Sequence, residues 1–178
     1  MMKVSAKRGF AWLIDWYVAG VLAWVPIMLI GSNLYGRSVG SFLSEFDGNM
    51  WILMGLLGIL VVFFYVVLVP MFIWRGQTLG KKLIRLIVVE DNLKEVTNKS
   101  LLIRGGILLF FDALLTGSFI FIGQMIELSS LKDFAMIYSY GVVALTILSA
   151  GMAMIRKDGK SLHDIVVHTK VIEKKGEN

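Results

Sequence analysis

The chain has 178 residues, of which 57% are hydrophobic and only 17% charged, with a mean hydropathy of +0.75 and a formal net charge of +5. Soluble domains are less apolar and more charged, so the composition excludes an ordinary water-soluble domain and predicts an integral membrane protein. The absence of Cys excludes disulfides and thiol chemistry.

Lys3, Lys7 and Arg8 precede the first apolar stretch, 9–31, which Asp15 alone interrupts. A secretory signal begins in the same way, but this run is about twice the length of a signal core, and no small-residue cleavage pattern follows before Asn33. It reads as a retained helix. Stretch 51–74 carries no charge, stretch 105–126 is interrupted only by Asp112, and stretch 134–155 is again uncharged. Each supplies the roughly 20 apolar residues that a hydrocarbon core of about 30 Å requires. Four such helices with short connections predict a single all-α membrane domain over residues 1–178, with a polar loop at 75–104 and a polar tail at 156–178.

Lys and Arg resist translocation, so their distribution sets orientation. Three lie before residue 9, seven between 75 and 104, and six after 155; the other two connections hold only Arg37 and Lys132. Both termini and the central loop are therefore expected in the cytoplasm. This asymmetry, with contact to an anionic inner leaflet, accounts for the positive charge without a nucleic-acid partner.

The loop and the tail resemble each other. Gly76-Gln-Thr-Leu-Gly-Lys-Lys-Leu-Ile-Arg-Leu-Ile-Val-Val-Glu90 aligns without gaps with Gly159-Lys-Ser-Leu-His-Asp-Ile-Val-Val-His-Thr-Lys-Val-Ile-Glu173. Each segment follows an uncharged stretch, and each uncharged stretch follows one that opens on Arg and contains Asp: Arg8 and Asp15, then Arg104 and Asp112. Two two-span units return to the same side, which predicts parallel pseudo-repeats about an axis along the membrane normal, unlike the inverted repeats of many carriers. Leu79, Leu83 and Leu86 recur at helical spacing with Lys81, Lys82 and Arg85 on other faces, as in a short amphipathic helix on the inner leaflet. Ile84 to Glu90, Leu93 to Thr97 and Val166 to Ile172 read as β-rich, with Asp91-Asn92 as a turn. Strands from the two segments are expected to pair as a small β element beneath the bundle.

An Arg opening the first helix, an Asp two turns on, Gly-x-Thr-Leu-Gly-Lys-Lys-Leu after the second helix, and a closing Ser-Leu-His-Asp before a Val-rich strand resemble the RDD family of bacterial membrane proteins. The resemblance spans nearly the whole chain. It implies that Arg8 and Asp15 are the family's Arg and first Asp, and that Asp164, or alternatively Asp112, is its second. Arg85 and Val167-His168 stand where relatives usually carry Gly or Ala-Gly. The family implies a multi-span inner-membrane protein linked to transport, in some members to Na⁺/H⁺ exchange.

Acids inside a membrane span are functional candidates by default, so the expected ion or proton site is Asp15 with Asp112, and Arg8, Arg104 and Asp164 are its charge partners. Residues seven apart on one helix lie roughly 10 Å apart along its axis, so Arg8 does not readily reach Asp15. Two arrangements are open: each rim Arg pairs with the opposite half's Asp, or the two acids meet and share a proton or a cation. The Gly76 and Gly159 segments fail the spacing of a phosphate-binding loop, and His163 and His168 do not suit one metal. Neither an enzyme nor a cofactor or metal is expected. The expected function is small-cation or proton transport, of Na⁺ or H⁺. The competing expectation is a non-transporting accessory protein that binds and regulates another membrane protein, with a homo-oligomer as a further possibility.

Overall fold

The computed structural model describes residues 4–36, 43–111, 118–129, 131 and 133–174. Helix α1 spans Val4–Tyr35, and after a short 3₁₀ turn at Leu43–Glu45 helix α2 spans Met50–Phe63 and widens into a π-helical segment, Phe64–Ile73. Pro70 lies in that segment. Proline has no N–H to donate and its ring crowds the carbonyl four residues back, a conflict that a wider turn relieves. The Trp74 N–H reaches the Val69 carbonyl and the Gly76 N–H the Pro70 carbonyl, closing the helix end.

The next elements are short: helix α3 at Leu79–Leu83 and strand β1 at Leu86–Glu90. Helix α4 spans Asn98–Phe111, α5 Ser118–Leu128 and α6 Asp133–Ile155; helix α7 at Leu162–Val166 and strand β2 at Thr169–Glu173 complete the chain. Among the described residues three helices, Val4–Tyr35, Met50–Ile73 and Asp133–Ile155, are long and apolar enough to cross a membrane. Of the expected third stretch, 105–126, residues 105–111 belong to α4 and 118–126 to α5, and residues 112–117 lie outside the described residues. Asp112 and Thr116 are among these.

β1 and β2 pair antiparallel as a two-stranded sheet, with Val88 opposite Val171 at the centre and Leu86 opposite Glu173 at one end. The expected strand at 93–97 is reduced to one bridge, Val89 with Glu95. Val166 belongs to α7, not to a strand. The segments leading into the two strands share their geometry: Gly76 and Gly159 have φ of +68° and +65°, Thr78 and Ser161 are extended, and Arg85 and His168 have φ of +59° and +55°.

That left-handed Arg85 corrects one expectation. The amphipathic helix ends at Leu83, and Leu86 is a fully buried strand residue, so the leucine spacing runs across two elements. Lys81 turns toward the protein interior, and Lys82 lies over the Trp74 ring, 4.0 Å from its centre.

Two cores result. Ala23, Ile27, Met54, Val62, Leu109 and Phe121 fill the bundle, and Leu86, Val88, Val96, Leu101 and Val171 join the sheet to it. Gly55 and Gly58 let α5 approach closely: a Cβ at either would fall within 2.6 Å of Met125 or Phe121. At Gly141 and Gly151 such a Cβ would have nothing within 4 Å.

Candidate functional site

The charged residues of the chain's interior gather where the bundle meets the sheet. Asp15 is buried on α1, level with α3. Its Oδ1 accepts from the Tyr65 hydroxyl at 2.5 Å and the Gly80 N–H at 2.8 Å, and its Oδ2 from the Thr78 hydroxyl at 2.5 Å. Lys81 Nζ lies 3.7 Å from Oδ2 and 3.2 Å from the Thr78 oxygen. Thr78 is the residue before α3 and Gly80 its second residue, so Asp15 caps the N-terminus of a neighbouring helix, supplying the acceptor that a short helix's unpaired N–H groups need. Gly80 is required here: a Cβ would collide with the Ala11 carbonyl oxygen and lie 2.9 Å from the Asp15 carboxyl.

Asp164 is fully buried at the third position of α7. Its Oδ2 accepts from the Ser161 N–H at 3.0 Å and the Ser161 hydroxyl at 2.6 Å, as in a capping box. Arg8 from α1 reaches the same oxygen at 2.7 Å, and Arg104 from α4 pairs with Oδ1. Arg8 also donates to the Gly159 carbonyl and to the Ser161 hydroxyl at 3.1 Å, and Arg104 to the Thr169 hydroxyl at 2.9 Å. Asp164 thus ties α1, α4, α7 and β2 together.

Burial by itself raises the Asp164 carboxyl, but Arg104 and Arg8 outweigh it and hold the group well below the usual carboxylate range. Burial, reinforced by Arg104, pushes the adjacent His163 well below its ordinary value, so it is neutral and hydrogen-bonded through Nε2 to the Ser161 oxygen at 2.8 Å. Burial likewise lowers Lys81, against the attraction of Asp15. No buried side-chain nitrogen or oxygen among the described residues lacks a partner.

Among the described residues Asp15 meets no Arg, so the expected crossed pairing with Arg104 is not present, and its nearest cation is Lys81. Asp112 lies outside the described residues, so its pairing with Arg8 or Asp15 is not seen. Arg8 and Arg104, expected at the headgroup rim, are drawn inward onto Asp164, and Arg104 is only 4% exposed. Sequence reasoning missed Thr78, Gly80 and Lys81 as partners of Asp15, although the Gly-x-Thr-Leu-Gly-Lys motif that holds them was in view. Tyr65, which also bonds Asp15, lies in the π-helical segment, outside that motif. His163 and His168 do not converge, one being buried and the other exposed.

An apolar helical bundle closed by a charge-linked two-stranded platform is the class of protein these features define. The family model described as RDD family matches residues 5–168, and the chain belongs to that family. No curated protein and no solved structure matches it.

Proposed function

We propose that this is a multi-span bacterial inner-membrane protein, with both termini and the sheet in the cytoplasm, that acts as a non-transporting accessory protein for another membrane protein. The observation that carries this reading is the saturation of Asp15. It takes three hydrogen bonds and a nearby ammonium, and further along α1 the buried residues are Ala19, packed with Tyr65 and Val69, then Ala23 and Ile27, packed with Val62, Met54 and Phe121, and Gly31. A carried cation needs oxygen ligands or a relay beyond the acid, and that stretch offers apolar side chains. The charge cluster then serves as a clasp holding the platform to the spans, and the recognition surface lies on the platform. Parallel pseudo-repeats fit this reading. The residues equivalent in the sequence alignment, Val88 and Val171, face each other in the sheet, as an axis through that pair requires.

One observation favours the transport reading: a cavity of about 30 Å³, the size of a water molecule, is lined by Asp15, Tyr65, Thr78, Lys81 and Arg104. The two readings separate in liposomes. Wild-type protein is expected to pass neither Na⁺ nor H⁺ above the rate of protein-free vesicles. A flux that disappears in Asp15→Asn or Asp112→Asn would overturn the accessory reading and establish transport.

A further inference from the structure

α1 packs chiefly on α2 and α3, and α6 on α5 and α7. Between the start of α1 and the end of α6 this leaves a cleft of about 260 Å³. Its floor is polar and buried, with Arg104, Ser161 and His163; its mouth is exposed, with Gly9, Ala150 and Met154. The walls between are apolar.

Three cations line this cleft, Arg8, Lys81 and Arg104, while their carboxylate partners, Asp15 and Asp164, do not. Among the described residues the cluster therefore holds three positive charges against two negative ones, and its positive side faces the cleft. Lys81 is the most loosely held of the three, at 3.7 Å from its carboxylate, against 2.7 Å for Arg8. An ammonium carries three donors, and one of these is directed to Thr78. An apolar-walled recess with a cationic floor suits an anion attached to an apolar body. The volume lies below the roughly 300–1,000 Å³ of sites that enclose a whole drug-sized ligand, so the cleft admits a headgroup and leaves acyl chains outside.

We propose that the cleft binds the phosphate of an anionic phospholipid of the inner leaflet, entering sideways between α1 and α6, with its chains against the exposed apolar faces of both helices. The shared chemistry is a phosphate anion, and the lateral mouth between two apolar helices assigns the lipid, not a soluble phosphate, as its source. The inference rests on the bundle lying in a bilayer, as proposed above, but not on whether ions cross it.

The test uses full-length protein in nanodiscs of phosphatidylcholine with and without phosphatidylglycerol, reading the thermal midpoint and the lipid retained after extraction. Phosphatidylglycerol is expected to raise the midpoint and to remain bound. Lys81→Gln removes a charged hydrogen-bond donor and Ala153→Trp fills the cleft, and each is expected to weaken retention about tenfold. Lys94→Gln, an exposed cation outside the cleft, is expected to change nothing. Inorganic phosphate added to phosphatidylcholine discs should not raise the midpoint; an equal rise would overturn the lipid assignment. Equal lipid dependence in wild type and Ala153→Trp would reduce the effect to surface charge and overturn the site, and so would the absence of any lipid dependence. If Lys81→Gln does not fold, Ala153→Trp decides alone. Failure of the wild type to insert into nanodiscs would count against the membrane reading instead.

Discussion

Asp15 and Asp164 are buried carboxylates at the N-termini of two five-residue helices that begin with the same Gly-x-[Thr/Ser]-Leu turn, yet they are held differently. α7 carries its own carboxylate at its third position, and Ser161 and Asp164 cap the helix from within. α3 has Lys81 at that position, and its carboxylate arrives from α1, sixty-five residues away in the chain. Because α7 caps itself, Asp164 retains lone pairs for Arg8 and Arg104 and becomes a junction of charges. Because α3 does not, Asp15 is filled by neutral donors and a backbone N–H. One local requirement, a capped turn, is thus met once by a tertiary contact and once by a local bond that leaves the carboxylate available for tertiary ones.

The comparison predicts an order of sensitivity. Removing one partner of a buried ion pair leaves uncompensated charge and costs about 3–5 kcal/mol, and Asp164→Asn strands two guanidiniums at once. Asp15→Asn keeps an acceptor oxygen for Tyr65 and Gly80 but turns an amide NH2 towards Thr78, and is expected to cost about 1–3 kcal/mol. Denaturant unfolding of the two variants in detergent gives the comparison directly. If Asp15→Asn is as damaging as Asp164→Asn, the distinction between the two carboxylates is wrong.

The Asp15 side can be broken without touching a charge. Gly80→Ala places a methyl group against the Ala11 carbonyl and the Asp15 carboxyl, and overpacking of this kind costs about 1–3 kcal/mol. Gly9→Ala, also on the α1 side of the cluster, meets nothing within 4 Å, and in a helix interior it should stabilise by about 0.5–1 kcal/mol. Opposite signs in the same unfolding assay would place the close approach of α1 and α3 at Gly80.

These residues also show what the sequence made readable. The apolar stretches and the matched loop and tail segments are local patterns, and the alignment alone brings Val88 and Val171 to equivalent positions, which the sheet then pairs. The partners of Asp15 were not legible. A search among charges looks for arginine, whereas Tyr65, Thr78 and Gly80 are neutral and lie fifty to sixty-five residues away, so only the packing of α3 on α1 brings them in. The end of α3 was hidden for a different reason. Leucines at 79, 83 and 86 keep helical spacing across a left-handed residue that hydropathy does not register.

The Asp164 side has a pH signature in the acid range. His163 is held below its ordinary value of 6.5 chiefly by burial, so the unfolded chain binds its proton more readily than the folded one. That contribution to stability is fully present above about pH 6.5 and is lost as the pH falls below it. Asp164, held below its ordinary 3.8, contributes fully above that value and less beneath it. Denaturation midpoints measured from pH 7.5 downwards are expected to fall in two steps, and His163→Gln should remove the first while leaving the second.

The smallest expected effect lies in the turns that lead into the strands. Arg85 and His168 have φ of +59° and +55°, a conformation that costs a residue with a Cβ about 1–2 kcal/mol. Glycine adopts it freely, though it gives back part of the gain through the greater entropy of the unfolded chain. Arg85→Gly and His168→Gly are each expected to stabilise by about 0.5–1 kcal/mol. If the two segments are structurally equivalent, the gains should be similar and additive, because both side chains are exposed. A gain at one turn with a loss at the other would mean that the displaced side chain has a role of its own there, and that the likeness of the two segments stops at the backbone.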